Sequence, residues 1–437
     1  ESSTSSSRNL GLSIAKTNSF SSQNIQGLVM AHFRTLTLIL TCTVLCCFQS
    51  ESLAAWVVKI EAGKFDRLDG PVAVELPSRQ LAKHPMILTS KDSNQAIPIQ
   101  IDVNTDKPKL YFMLDEPLYK NNSREYTLRL VDGVADQPPA VKAVTDDQGV
   151  TLKVGDNEVL RYNSAVIPCP DKTQPHYARS GFIHPIHDPA GNVLTDGFPP
   201  DHLHQHGLFM AWQQTTFDGQ QYNFWEQTPK NRAQISHANS AGAVSGPVFG
   251  DIAAVLGHDI KLENGQVKRI ANELWHVRAY KLDKYFLVDV TIGYINRTEK
   301  PIQVMKIHYG GFAIRGRRSW FESGDSDFLT SEGKTRENGN HSRPNWVEIH
   351  GSVPGGHSGI TIMSDPENFR HPQPVRLHPS KPYFCFAPMV TDAFSIESGK
   401  TYLSKYRLLI HHGEPDKERS EAAWKNYSEP ITARLIK

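Results

Sequence analysis

From residue 56 onward, apolar and polar positions alternate in short runs. Residues 56–61, 72–76, 96–101, 110–114 and 126–131 each carry the period of two expected of a strand, whose side chains point to its two faces in turn. Gly, Asp, Asn and Pro punctuate the runs, and no ten-residue window here has a good helical period. The pattern predicts a small β-sandwich domain over 56–137, closed by a hinge at Gln137-Pro138-Pro139. A second all-β region follows over 140–437. It opens with a hairpin, 150–154 and 158–162 around Gly155-Asp156-Asn157, and continues with an aromatic strand at 222–226. Longer strands are predicted at 274–280, 285–292 and 302–309, the last ended by Gly310-Gly311, and further strands at 359–363, 382–386 and 402–410. The polar segment from Arg315 to Pro344 reads as an excursion over the surface or over a site. One helix is expected, over 415–427, where Asp416 and Glu418 suit a helix start. The fold class is therefore all-β: a small N-terminal β-sandwich, then a large β-supersandwich with one C-terminal helix.

The N-terminal stretch departs from this pattern. Residues 1–29 are rich in Ser and Asn without an apolar period, and read as a disordered or artefactual leader. Residues 30–54 have the layout of a secretory signal peptide: Met30, then His32 and Arg34, an apolar run over 36–48, and small residues around Ser52-Leu53-Ala54. That run is shorter than the roughly 20 apolar residues a membrane span needs. The expectation is an exported protein, periplasmic or extracellular, with no integral membrane segment in the mature chain. A formal net charge of +1 over 437 residues gives no basic patch for nucleic acid and no polybasic membrane anchor. Without the signal, Cys169 and Cys385 remain, either as one disulfide or as two buried thiols. Any metal site must then rest on His and carboxylates.

The candidate chemistry concentrates at residues 201–212. Read as a strand, this stretch puts His202, His204, His206, Leu208, Met210 and Trp212 on one face. Imidazoles bind metals, move protons and donate hydrogen bonds near neutral pH. His184 and His187 lie just upstream, and the Gly- and Pro-rich insert between is short enough for the two groups to face each other. Three readings stand side by side: a divalent metal (Zn, Cu or Fe) held by His202, His204 and His206, a metal-free ligand or catalytic pocket, and structural histidines. Asp201 and Glu226 are the candidate bases. Trp212 and Trp225 could floor a sugar pocket or belong to the core. His308 precedes Gly310-Gly311, where ligand loops tend to sit. Arg370 and His371 lie in a Pro-bounded loop, and Arg370 could hold a carboxylate or sulfate in a bidentate pair. No GxSxG or HExxH pattern supports a serine hydrolase or a zincin.

Residues 180–185, 196–212 and 308–311, the loop at 365–372 and the closing 406–413 resemble a bacterial exported family identified as "methane oxygenase PmoA", most of whose members have no known function. The resemblance covers roughly 56–430. Its name implies a His-ligated copper or iron oxygenase. The membrane subunit of methane monooxygenase needs spanning segments, which the mature sequence lacks. In architecture the chain also resembles the galactose mutarotase supersandwich, which implies a His and carboxylate site for a carbohydrate or other small-molecule ligand. Three functions follow as expectations: a carbohydrate-active lyase, hydrolase or epimerase, an oxygenase, or a non-catalytic sugar-binding module.

Overall fold

Two eight-stranded sheets packed face to face make up most of the chain. The structure, a computed structural model, describes residues 55–91, 95–133, 137–228, 230–282 and 284–436. The leader at 1–29 and the signal segment at 30–54 lie outside the described residues, as does the linker at 134–136. Every strand pairing in the described residues is antiparallel.

The front sheet runs, in spatial order, through Val375–Leu377, Tyr383–Phe386, Gly311–Arg315, Leu208–Ala211, Phe182–Ile186, Asn157–Asn163, Gly149–Val154 and Val141–Thr145. The back sheet runs through Ala233–Val244, Phe249–Lys261, Val267–Tyr280, Phe286–Asn296, Thr401–His412, Gly356–Ser364, Trp346–Val353 and Ser326–Thr330. Alternation assigns the faces. Phe312 stacks on Tyr406 of the back sheet at 4.2 Å and Phe386 lies 5.2 Å from the same ring, so both point into the sandwich. Register then turns Ala313, Arg315, Tyr383, Cys385, Phe209 and Arg376 to the outer face of the front sheet. That outer face carries the site described below. Trp212 is fully buried against Tyr294, Phe394 and Tyr402, so it belongs to the core and not to a pocket.

The N-terminal region is a sandwich of a five-stranded and a three-stranded sheet with its own apolar core. The five-stranded sheet includes Thr432–Ile436, which pairs with Val57–Glu61. The end of the chain thus belongs to the N-terminal sandwich and not to the larger one, where the sequence reading placed it. Buried Arg278 ties the two regions together. It donates to Asp251 and, across the junction, to Asp102 at 2.7 Å, while its guanidinium lies 3.7 Å from the centre of the Phe249 ring.

The C-terminal helix is Lys417–Ser428, capped by Asp416, whose side chain accepts from the Arg419 amide at 3.0 Å. A second, unexpected helix of five residues, Arg318–Glu322, starts the polar segment, and the strand Ser326–Thr330 follows it. The predicted strand at 302–309 stops at Val304. Cys169 and Cys385 are both free and buried, so the disulfide alternative falls. Among the described residues, no helix is long and apolar enough to cross a membrane.

Candidate functional site

The His-rich stretch is a turn, not a strand. Pro199 and Pro200 precede it, and proline cannot supply the amide a strand ladder needs. Instead His202 N donates to Pro199 O and Gln205 N to His202 O, both at 2.9 Å. The strand begins only at Leu208. Gly207 makes the junction with φ +64, and a Cβ there would stand 2.3 Å from Ile183 O. Alternation therefore never operates over 202–206, and the three imidazoles part company.

His206 turns inward and is fully buried. Its Nδ1 donates to Gly197 O at 2.9 Å. Nε2 is then the lone-pair nitrogen, so the Gln227 amide 2.9 Å away must present its N–H to it. Burial, and after it the Arg179 charge, holds this ring neutral, far below the usual histidine range. Both nitrogens are committed, which removes His206 from any metal or catalytic role. Among the described residues, no three His, Cys, Asp or Glu side chains are disposed to hold a metal ion. The ligand set His202, His204 and His206 does not fit a Zn, Cu or Fe ion.

His202 and His204 stay together at the surface, ring centres 5.3 Å apart. Asp201 anchors them. Its carboxylate takes Arg315 Nη2 at 2.7 Å and Lys381 Nζ at 2.9 Å. Burial would raise its pKa, but Lys381 and Arg315 hold it down to about 2. Such a carboxylate is an anchor and a poor base, so Asp201 leaves the list of catalytic bases. Lys381 Nζ also lies 2.8 Å from His202 Nδ1. An ammonium only donates, so Nδ1 accepts and the proton of neutral His202 sits on Nε2. The 3.1 Å approach of His202 Nδ1 to Asp201 Oδ2 is then two acceptors gathered around one ammonium. Burial first and the His202 ring next lower the His204 pKa to about 3.

The rest of the cup comes from four other loops. Trp225 is buried between Phe209 at 4.9 Å, Tyr309 at 5.5 Å and Tyr383 at 5.9 Å; it supports the floor and offers no face to a ligand. Glu226 follows it in a bend rather than in the strand expected, which ends at Tyr222. Its Oε1 accepts from the Tyr309 hydroxyl at 3.2 Å, and Oε2 is left uncommitted. Tyr177 neighbours both sides: its ring is 6.3 Å from His204, and burial followed by the Glu226 charge raises its pKa. His378 stands near His202, its pKa lowered to about 4 by burial and then by Arg376 and Lys381. Exposed His308 packs on Tyr309 at 4.8 Å at the rim. Beneath these groups, the buried Tyr383 hydroxyl has only the weak Cys385 thiol beside it.

Other candidates lie elsewhere. His184 sits behind the turn, its Nδ1 against Thr195 Oγ1 at 2.9 Å and its ring against Gly197. His187 is half-buried beside Asp188, toward the back-sheet hairpin. Arg370 spends its guanidinium on three carbonyls, those of Pro388, Asp392 and Ala393, and so holds a loop rather than a substrate. His371 contacts Ser364 Oγ at 3.5 Å, away from the cup. Ser358, His412 and Asp188 do meet, but buried Ser358 donates to Asp188 at 2.6 Å rather than to His412, so the histidine is not placed to take its proton. Arg179, Lys381, His378, Tyr177 and Tyr309 carry no sequence pattern that marks them, and Arg315 stood out only as the start of the polar excursion. Fully buried Arg315 is the anchor.

No curated protein sequence matches the chain. Among solved structures, a galactose mutarotase related enzyme from Lactobacillus acidophilus aligns at 9% identity with a TM-score of 0.30, over 63% of this chain and 99% of its own. A likeness that loose assigns nothing to the cup. Residues 149–425, which hold every group of the cup, match a family of unknown function, and the chain belongs to that family, DUF6807.

Proposed function

We propose that the cup on the outer face of the front sheet binds a carbohydrate and moves a proton on it, in the manner of an epimerase, lyase or hydrolase. The observation that carries this is Glu226. It is a carboxylate oriented by Tyr309 on one oxygen and free on the other, in a cup whose imidazoles are neutral at physiological pH. Neutral imidazoles donate and accept at once, which suits hydroxyl groups, and the part-exposed rings of Tyr177 and Tyr309 suit the C–H face of a sugar. In this reading Glu226 is the base, and His202 presents Nε2–H to a substrate oxygen. The signal-like segment at 30–54 supports an exported location, where glycans are accessible.

A glycan-binding screen on the chain from residue 55 onward, followed by turnover assays on the hits, tests the proposal. Glu226→Gln should keep binding within about threefold and lower turnover by at least about 100-fold, the range of one acid or base group. Binding with no turnover in either protein would reduce the cup to a sugar-binding module. No glycan bound at all would overturn the reading.

A further inference from the structure

One charged group at the cup has no counterpart. Arg179 is wholly buried, and among the described residues none of its three guanidinium nitrogens finds a hydrogen-bond acceptor. Its backbone is fixed by paired hydrogen bonds with Ile167, at 2.8 and 3.1 Å. The guanidinium lies 5.8 Å from the centre of the Phe209 ring, on the outer face of the front sheet, and its charge reaches His204 and His206. Glu273 is the carboxylate whose charge acts on it. It spends its carboxylate on His258 at 2.7 Å and on the Trp275 indole at 2.5 Å, and makes no hydrogen bond to Arg179. A guanidinium offers five donors, and burying it unpaired costs several kcal/mol. Such a group calls for a partner from outside the chain, and an anion is the partner that also offsets its charge.

The rest of the cup leans the same way. Arg376 extends from the edge strand Val375–Leu377 onto the outer face. Its one hydrogen bond among the described residues is to the adjoining Leu377 carbonyl, at 3.3 Å. Its charge reaches His308, His378 and Tyr383. Asp201 is already neutralised by Arg315 and Lys381. Arg179, Arg315, Arg376 and Lys381 therefore face Asp201 and Glu226, while Glu273 and Asp196, whose charges also act on Arg179 and Arg315, are spent on His258 and Trp275 and on Arg318.

We infer that the cup takes an anionic sugar, with the carboxylate of a uronate or the sulfate of a sulfated residue seated on Arg179 and steered by Arg376. This rests on the carbohydrate reading and adds the substrate class to it. A planar guanidinium matches both groups by paired N–H···O bonds.

Calorimetric titration at low and at physiological salt separates the cases. Uronate oligosaccharides, sulfated oligosaccharides and neutral oligosaccharides of the same length are each added to the wild type, Arg376→Ala and Arg179→Lys. Arg376 is partly exposed, so its variant folds even if Arg179→Lys does not; thermal melting checks both. One anionic class should bind at least about tenfold more tightly than the neutral class, lose about tenfold in Arg376→Ala, and weaken with salt. Whichever anionic class does so names the group. Neutral oligosaccharides bound as tightly as anionic ones, or no loss in Arg376→Ala, would overturn this inference and leave the carbohydrate reading standing. Failure of all three classes to bind would overturn both.

Discussion

Two of the histidine–carboxylate clusters in this molecule differ in how completely their valences are used. Under the C-terminal helix, Glu348 is fully buried; one oxygen takes His411 Nε2 at 2.9 Å and the other takes Thr361 Oγ1 and Ser420 Oγ. Ser420 comes from the helix itself, so the cluster is roofed and nothing from solvent reaches it. In the cup, Glu226 keeps an oxygen free, His204 accepts and donates nothing to a fixed partner, and Arg179 has no acceptor. Residue types alone would rank the two alike. What separates a structural cluster from a binding site is unfinished hydrogen bonding among part-exposed groups.

That contrast fails if the roofed cluster can be removed cheaply. Glu348→Ala should cost about 3 kcal/mol in urea unfolding, since it strands three buried partners at once. Glu226→Ala should cost under about 0.5 kcal/mol, as a part-exposed side chain with a single bond. Equal losses would mean that the cup is structural too. Gly359→Ala probes the roofed cluster by crowding rather than deletion. A Cβ there would stand 2.8 Å from both Glu348 Oε1 and His411 Nε2, backed by the His350 Cβ at 3.1 Å. About 1–3 kcal/mol should be lost.

Acid should act on the cup's side of the comparison. His204 and His378 have folded-state pKa values lowered to about 3 and about 4, below the unfolded value near 6.5. Between those values the unfolded chain binds protons that the folded chain refuses, so stability falls as pH drops from about 6.5 toward 4. Asp201, held near 2, adds a further loss below about pH 4, as its ion pairs with Lys381 and Arg315 are titrated. The urea midpoint measured against pH should show a smaller slope over pH 4–6.5 in His204→Gln. An unchanged slope would place the proton uptake elsewhere. The smallest expected effect is that of a chelator. Elemental analysis should find Zn, Cu and Fe substoichiometric, and EDTA should leave the melting temperature unmoved. A full equivalent of one metal would return His202 and His204 to the role of ligands.

Most strands were legible because one face of each meets solvent and the other the core. Residues 56–61, 110–113 and 402–405 alternate for that reason. The strands Ala233–Val244 and Phe249–Lys261 escaped. The second is buried on both faces and rich in Gly and Ala, so its alternation is blurred. The His turn was misread because three histidines spaced by two imitate a strand, although Pro199, Pro200 and Gly207 already carried the turn signal. Glu226, His202 and His204 could be picked from sequence, since they are polar residues set among aromatic and apolar ones. Their partners could not. Arg315 and Asp201 are 114 positions apart, and Lys381 and His202 are 179 apart, so no local pattern joins them.

The strand Thr432–Ile436 has a bearing on how the chain is made. It covers one flank of Val57–Glu61 in the first strand of the described fold, so a sheet begun early in synthesis waits for a strand made much later before its edge is filled. Until then that flank exposes a row of unpaired amides and carbonyls that can recruit another chain. The fold is a clasp whose two halves are made far apart in time. A nascent chain stalled short of residue 432 should therefore be more prone to aggregate than its apolar content alone would suggest.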